Sequence, residues 1–146
     1  MRSRTVTGGG GVEIHVEERG PVDAHPILLI HGFSQSRLAW TRQFDSSLAD
    51  DYRLVAMDCR GHGASETPSG RDAYRDPELW ADDVQAVVDA LALDHPTLVG
   101  WSYGGLVVSD YLATHGDDAV SGIVLVGAIT EKGTDDADRF AGEQFV

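Results

Sequence analysis

A chain of 146 residues with 42% hydrophobic composition is long enough for one globular domain and too apolar for a disordered one. Its 24 acidic and 11 basic residues leave a formal net charge of −13, a field that repels phosphate backbones and anionic membrane surfaces and argues against nucleic-acid binding. The single cysteine, Cys59, excludes an intrachain disulfide framework, and no stretch approaches the roughly 20 apolar residues of a membrane span.

Read along the chain, the segment before Thr7 carries two arginines but no apolar run of the kind a secretory leader needs, so a soluble cytoplasmic protein is expected. Gly8 to Gly11 reads as a flexible turn between two early strands. Val12 to Glu17 alternates strictly, which predicts a half-buried strand near a sheet edge with His15 facing solvent. Pro26 to Ile30, Tyr52 to Met57, Pro96 to Val99 and Gly122 to Val126 are short apolar runs, as expected of parallel strands buried on both faces. A segment from Arg37 or Leu38 to Leu48 is expected to be helical between the first two of them. A longer helix is predicted from Pro77, capped by Asp76, to about Leu93. Trp80, Val84, Val87, Val88 and Leu91 share its apolar face, and Asp82, Asp83, Gln85 and Asp89 lie mainly on the other. A third helix should run from just after Ser102 to His115, with Gly116 as its left-handed stop and His115 as a cation near its C-terminus. Strands alternating with helices predict an α/β fold, a three-layer sandwich around a mostly parallel sheet. The whole chain, 1–146, reads as part of one domain, and from about residue 130 its polar, acidic character suggests the start of a cap or a following element.

The chemistry concentrates in Gly100-Trp101-Ser102-Tyr103-Gly104, where a predicted strand runs straight into a predicted helix. So sharp a reversal holds the central residue in a strained conformation, and side chains two residues to either side would collide; glycine at both positions relieves this. The turn lifts the Ser102 hydroxyl to a helix N-terminus, where N–H groups and the helix dipole favour developing negative charge. Ser102 is therefore the candidate nucleophile.

Two further segments accompany it. His31-Gly32-Phe33 follows a buried strand, and Asp58-Cys59-Arg60-Gly61-His62-Gly63-Ala64-Ser65 follows the next. With all three motifs in this order, the chain resembles the α/β-hydrolase superfamily, in its branch of small esterases and haloperoxidase-like perhydrolases, over residues 10–128. The resemblance implies an oxyanion hole made by the backbone N–H groups of Phe33 and Tyr103. It implies a structural role for the 58–65 turn, with His31 and His62 shaping the backbone and not transferring protons. A serine nucleophile speaks against the epoxide hydrolase and haloalkane dehalogenase branches, which use an aspartate there. Phe33 and Trp101 flank the reacting centre in sequence; either could line an apolar acyl pocket, and Trp101 could equally pack as core. Cys59, ending an apolar run, reads as a buried hydrophobe. No cofactor or metal is expected, since no His or acidic pair has ligand-like context and the Gly8 run precedes no helix.

The resemblance also implies a triad in the order Ser, acid, His, and here the chain falls short. After Ser102 the only histidine is His115, roughly 20 Å along the predicted helix. Gly127, Ala128 and Ile129 occupy the place after the last strand where some relatives carry the acid, and Glu131 and Asp135 could approach only by a loop excursion. A serine without a base is a poor nucleophile. Three readings follow: a truncated chain of a serine hydrolase acting on ester-type acyl substrates, a catalytically inactive hydrolase-like binding module, or an enzyme completed by another chain. The 146 residues alone are expected to be weakly active or inactive. A small-molecule acyl substrate is the expected partner, and an exposed sheet edge would favour a homo-oligomer.

Overall fold

The computed structural model describes residues 1–130. Six strands form one mixed sheet: β1 (Arg2–Thr7), β2 (Glu13–Arg19), β3 (Pro26–Ile30), β4 (Arg53–Met57), β5 (Thr97–Trp101) and β6 (Gly122–Val126), in the order β1-β2-β4-β3-β5-β6. The first two pair antiparallel at one edge, and β4, β3, β5 and β6 run parallel. Five helices accompany them: α1 (Thr41–Phe44), α2 (Leu48–Asp51), α3 (Asp72–Arg75), α4 (Pro77–Ala90) and α5 (Tyr103–His115).

Side-chain alternation divides the core into two layers. Leu28, Ile30, Val55, Met57 and Leu98 point to the face covered by α4 and α5, where they meet Val84, Val87, Val88, Val107, Val108 and Tyr111. Leu29, Leu54, Ala56 and Val99 point the other way, against Trp40 and Phe44. Because β3 leads to one side of itself through β4 and the chain then returns to its other side as β5, the C-terminal ends of β3 and β5 form the switch point of the sheet. That is where open α/β sheets hold their ligands.

The sequence reading differs from the fold at several points, among them β6, whose apolar side chains Ile123 to Val126, expected to be buried on both faces, are each 43–49% exposed because the strand lies at the sheet edge among the described residues. The expected helix from Arg37 to Leu48 is broken into a 3₁₀ turn at Arg37–Trp40, then α1 and α2. Thr41 and Ser46 turn their hydroxyls back onto the carbonyls of Leu38 and Gln43, at 2.7 Å each, and such local bonds compete with a continuous helix. The α4 helix starts as expected, with the Asp76 carboxylate accepting the Glu78 N–H, but it stops at Ala90. Ala92 takes a positive φ of 48° and Leu93 N–H returns to the Val88 carbonyl at 2.9 Å, a C-terminal lock ordinarily built on glycine. Gly8 to Gly11 does turn between β1 and β2, yet it is packed: a Cβ on Gly9 would lie 2.5 Å from the Leu79 carbonyl oxygen of α4. Gly116 ends α5 with φ of 77°, as the pattern requires. Among the described residues no helix is long and apolar enough to cross a membrane.

Candidate active site

Ser102 stands between β5 and α5 with φ 54° and ψ −119°, a conformation that L-residues rarely adopt. Three backbone bonds of 3.0 Å hold it there: its N–H donates to Val126, and its carbonyl accepts from Gly105 and Ile129. The flanking glycines are sterically obligatory. A Cβ on Gly100 would sit 2.7 Å from the Gly104 carbonyl oxygen, and one on Gly104 would collide with the Ile30 carbonyl oxygen at the end of β3. The elbow is thus pressed against the neighbouring strand end. Gly32 lies so close that a Cβ there would be 3.1 Å from the Ser102 Cβ.

The switch point therefore brings together all three expected site residues, Ser102, Tyr103 and Phe33. The rings of Phe33 and Tyr103 stand 6.3 Å apart, and Phe33 keeps 45% of its surface exposed. Trp101 is partly buried against the core layer around Leu29, Trp40 and Phe44. Burial pushes the Tyr103 phenol up to about 12, so its hydroxyl stays protonated at neutral pH and its ring packs against the core.

Two histidines latch the loops around the serine. His31 is buried at the end of β3; its Nε2 accepts the Cys59 N–H at 3.0 Å. Its Nδ1 must then carry the proton and donate to the Gly32 carbonyl at 2.7 Å. Desolvation by burial holds its pKa below the usual imidazole range, which keeps it neutral. His62 repeats the pattern, with Nδ1 against the Arg60 carbonyl at 2.9 Å and Nε2 accepting the Ser34 N–H at 3.2 Å. Each ring has both nitrogens engaged with backbone. The other four histidines are elsewhere: His15 on β2, His25 bonded to Thr97 and His95 to Asp94 before β5, and His115 paired with Asp82 at 2.9 Å.

The turn after β4 is a knot of charge. The Asp58 carboxylate accepts the Arg37 backbone N–H at 2.6 Å, the Arg37 guanidinium at 2.7 Å and the Ala64 N–H at 2.9 Å. The sequence marks Arg37 only as a helix start, but it ties the segment after Phe33 to this turn, and its second arm reaches Glu17. Arg60 is fully buried and grips Asp83 of α4 through two bonds, 2.7 and 2.8 Å, while its terminal nitrogens also meet the carbonyls of Gly9, Ala73 and Leu79. Asp83 is therefore 1% exposed and not on the solvent face expected for it. Cys59 is buried, and burial drives its thiol pKa far up, so it is an inert hydrophobe. No acidic side chain occurs in 127–130, and Glu131 and Asp135 lie outside the described residues, as does the expected cap from about residue 130. Among the described residues no three His, Cys, Asp or Glu side chains gather as a metal site.

A mostly parallel sheet with a strained serine at its switch point, on a strand-turn-helix elbow beside a second glycine loop, is the architecture of an α/β-hydrolase. The chain belongs to the α/β-hydrolase fold family, whose model matches residues 25–146. It is 37% identical to a non-heme chloroperoxidase of Streptomyces lividans over 86% of this chain and 44% of that protein. With a bifunctional esterase/perhydrolase of Acinetobacter calcoaceticus it shares 38% identity, over 85% of this chain and 44% of the other. The structure superposes on an esterase from Rhodococcus sp. ECU1013 with a TM-score of 0.82 at 48% identity, covering 89% of this chain and 47% of that one. The chain spans about half the length of the relatives it matches.

Proposed function

We propose that this chain carries the nucleophile and oxyanion-binding half of a serine hydrolase acting on ester-type acyl substrates. The observation that carries the reading is the backbone of Ser102, strained at φ 54° and held between two glycines that no other residue can replace without collision. In the proposed reaction the Ser102 hydroxyl attacks the acyl carbonyl, and its proton passes to a base. The tetrahedral oxyanion is held by the Phe33 and Tyr103 N–H groups and collapses to an acyl-enzyme as the ester C–O bond breaks and the alcohol leaves with that proton; water then attacks the acyl carbon, releasing the carboxylic acid and restoring the Ser102 hydroxyl. Phe33, half-exposed beside the elbow, forms an apolar wall for the acyl chain. Both ring nitrogens of His31 and His62 are committed to backbone, and His115 is paired with Asp82, so the base and its acid come from outside the described residues. The acidic net charge and lone buried cysteine fit a cytoplasmic enzyme of small uncharged substrates.

A fluorophosphonate loses fluoride and needs no general acid, so an oxyanion-assisted serine is expected to react with it slowly even when its proton passes to water, which tests this half of the machinery. Labelling is expected at Ser102 and to vanish in Ser102→Ala, read by mass spectrometry of the intact protein and its peptides. Labelling that persists in the alanine variant, or a wild-type rate at Ser102 no faster than at the chain's other serines on prolonged incubation, rejects the nucleophile assignment. Ester turnover by this chain is expected to be slow, within the about 10³–10⁴-fold over water that oxyanion stabilisation and binding alone sustain.

The edge strand β6 favours a second reading, a self-associating module. Ile123, Val124, Leu125 and Val126 are each 43–49% exposed, on both faces of an uncharged strand that pairs only with β5 among the described residues. An open apolar edge is a template for pairing with a second copy. On that reading the chain dimerises at micromolar concentration and Val124→Lys returns it to monomer. Sedimentation of the wild-type chain as a monomer at every concentration would remove this reading.

A further inference from the structure

We propose that His62 is a positioning residue that holds the Phe33 N–H in place through the Ser34 backbone and releases it when the imidazole is protonated. The inference deepens the hydrolase reading and rests on it for the meaning of Phe33. The hydrogen-bond geometry that carries it does not depend on that reading.

A carbonyl oxygen can only accept, so the 2.9 Å contact between His62 Nδ1 and the Arg60 carbonyl places the ring proton on Nδ1. Nε2 is then a lone-pair acceptor, and it receives the Ser34 N–H at 3.2 Å. Ser34 needs that anchor. Its φ is +58°, in the left-handed region, and it directly follows Phe33 in the loop that turns back from β3. The Phe33 ring lies edge-on to the His62 ring at 5.7 Å, so the same imidazole contacts both the backbone and the side chain of this segment. His62 itself sits in a rigid frame. Its own carbonyl accepts the Ser65 N–H and its N–H donates to Cys59, at 3.0 Å each, while Asp58 ties Ala64 on one side and Arg37 on the other. The turn after β4 thereby fixes the loop after β3 at two points, Ser34 through His62 and Arg37 through Asp58.

Protonation changes one of these points and not the other. A charged imidazole carries hydrogens on both nitrogens, so Nε2–H would face Ser34 N–H, donor against donor. The Arg60 carbonyl bond survives, the Ser34 bond cannot, and the Phe33 N–H loses its backstop. The titratable and charged groups around the ring are few. His31 stands 5.2 Å away from β3, and a charge on His62 works to keep it neutral. The Asp58 carboxylate is held by Arg37 and Ala64, and the Arg60 guanidinium points away into α4. Burial of the Tyr103 phenol leaves it uncharged on the far side of Phe33.

Amide hydrogen exchange and ¹H–¹⁵N spectra of Ser34 and Phe33 in the intact chain test this from about pH 8 to about pH 5. In the wild type the Ser34 protection factor is expected to fall about tenfold on acidification, the loss of one ordinary hydrogen bond, with the Phe33 amide shifting alongside it. His62→Ala should show the low protection at every pH. His62→Gln, which offers a non-titrating acceptor of similar reach, should keep the high protection at every pH. If the alanine variant does not fold, the contrast between wild type and His62→Gln decides. Ser34 protection that ignores pH in the wild type, or that is unchanged in His62→Ala, overturns the proposal. Fluorophosphonate capture on the same samples separates the two inferences: absent labelling with an intact Ser34 response sinks the nucleophile reading alone. A capture rate that falls with Ser34 protection in the wild type by more than it falls over the same pH range in His62→Gln supports both.

Discussion

Replacing Arg60 by alanine is expected to destabilise the chain by about 3–5 kcal/mol, the usual cost of stranding one partner of a buried ion pair. Small domains have roughly 5–15 kcal/mol in all, so the variant should lie near or beyond its folding limit. The reason is geometric. Arg60 has no exposed surface and Asp83 almost none, and alanine would leave the carboxylate without its cation and three carbonyls without a donor. Two controls bracket the effect in urea titrations. Arg19→Ala removes a solvent-exposed partner of Asp45 and should cost no more than about 1 kcal/mol. Arg60→Met with Asp83→Leu replaces the pair by apolar groups and should recover most of the loss, since a well-packed apolar substitute for a buried pair is often neutral. The pH dependence has a definite sign. Burial already pushes the Asp83 carboxyl above the usual aspartate value against the pull of Arg60, and removing Arg60 pushes it further. In Arg60→Ala the folded state then binds a proton that the unfolded state releases, so its deficit is largest at neutral pH and shrinks as pH falls through the raised pKa. A deficit independent of pH, or below about 1 kcal/mol, would contradict this account of the pair.

The same pair marks where the sequence stopped being legible. Asp83 follows Asp82 directly in the chain, and an aspartate next to another reads as surface. What inverts it is a guanidinium delivered from a loop more than twenty residues earlier in the chain, and periodicity carries no trace of that. Gly8 and Gly9 are a parallel case. Four glycines in a row read as flexibility, whereas Gly9 is glycine because α4 passes too close for a Cβ, and its N–H is held by Asp83 at 2.9 Å. Local chemistry, by contrast, was readable. Asp76 before Pro77, Gly116 after His115, and the apolar runs of β3 and β6 each announce their element through propensities that act within a few residues. The end of α4 at Ala90 was missed because the lock uses Ala92 where the signal to look for is glycine.

The site divides along the same line. Ser102 and its glycines were visible because the elbow is a five-residue device whose geometry is set by its own sequence. The neighbours that position it were not. Arg37 reaches Asp58 across 21 residues, and His62 reaches Ser34 across 28. Both histidines could be set aside as bases from their glycine neighbours, but which carbonyl each would grip, and hence which nitrogen holds the proton, required the fold. Trp101 was undecided between pocket and core because it ends β5, and only the packing of Trp40 and Phe44 beneath that strand assigns it to the core.

Gly104→Ala offers the sharpest separation of elbow geometry from serine chemistry, because it leaves Ser102, the proposed nucleophile, in place. Its added methyl would meet the backbone carbonyls of Ile30 and His31, the latter at 2.9 Å, and neither can rotate away as a side chain would. Overfilling a packed site costs about 1–3 kcal/mol even where side chains can yield, so this variant should sit at or above the upper end of that range. The strain is expected to be relieved by moving α5 away from the end of β3, which displaces the Tyr103 N–H from the Phe33 N–H across the elbow. Capture of a fluorophosphonate at Ser102 should accordingly fall by at least about a hundredfold, the scale on which a single oxyanion donor acts. Gly122→Ala is the matched control: a Cβ there meets nothing within 4 Å, and both its stability and its capture rate should stay within about 0.5 kcal/mol of wild type. Should Gly104→Ala retain wild-type labelling at wild-type stability, the contact between elbow and β3 would not be what sets the donors, and the positioning of Ser102 would have to come from α5 alone.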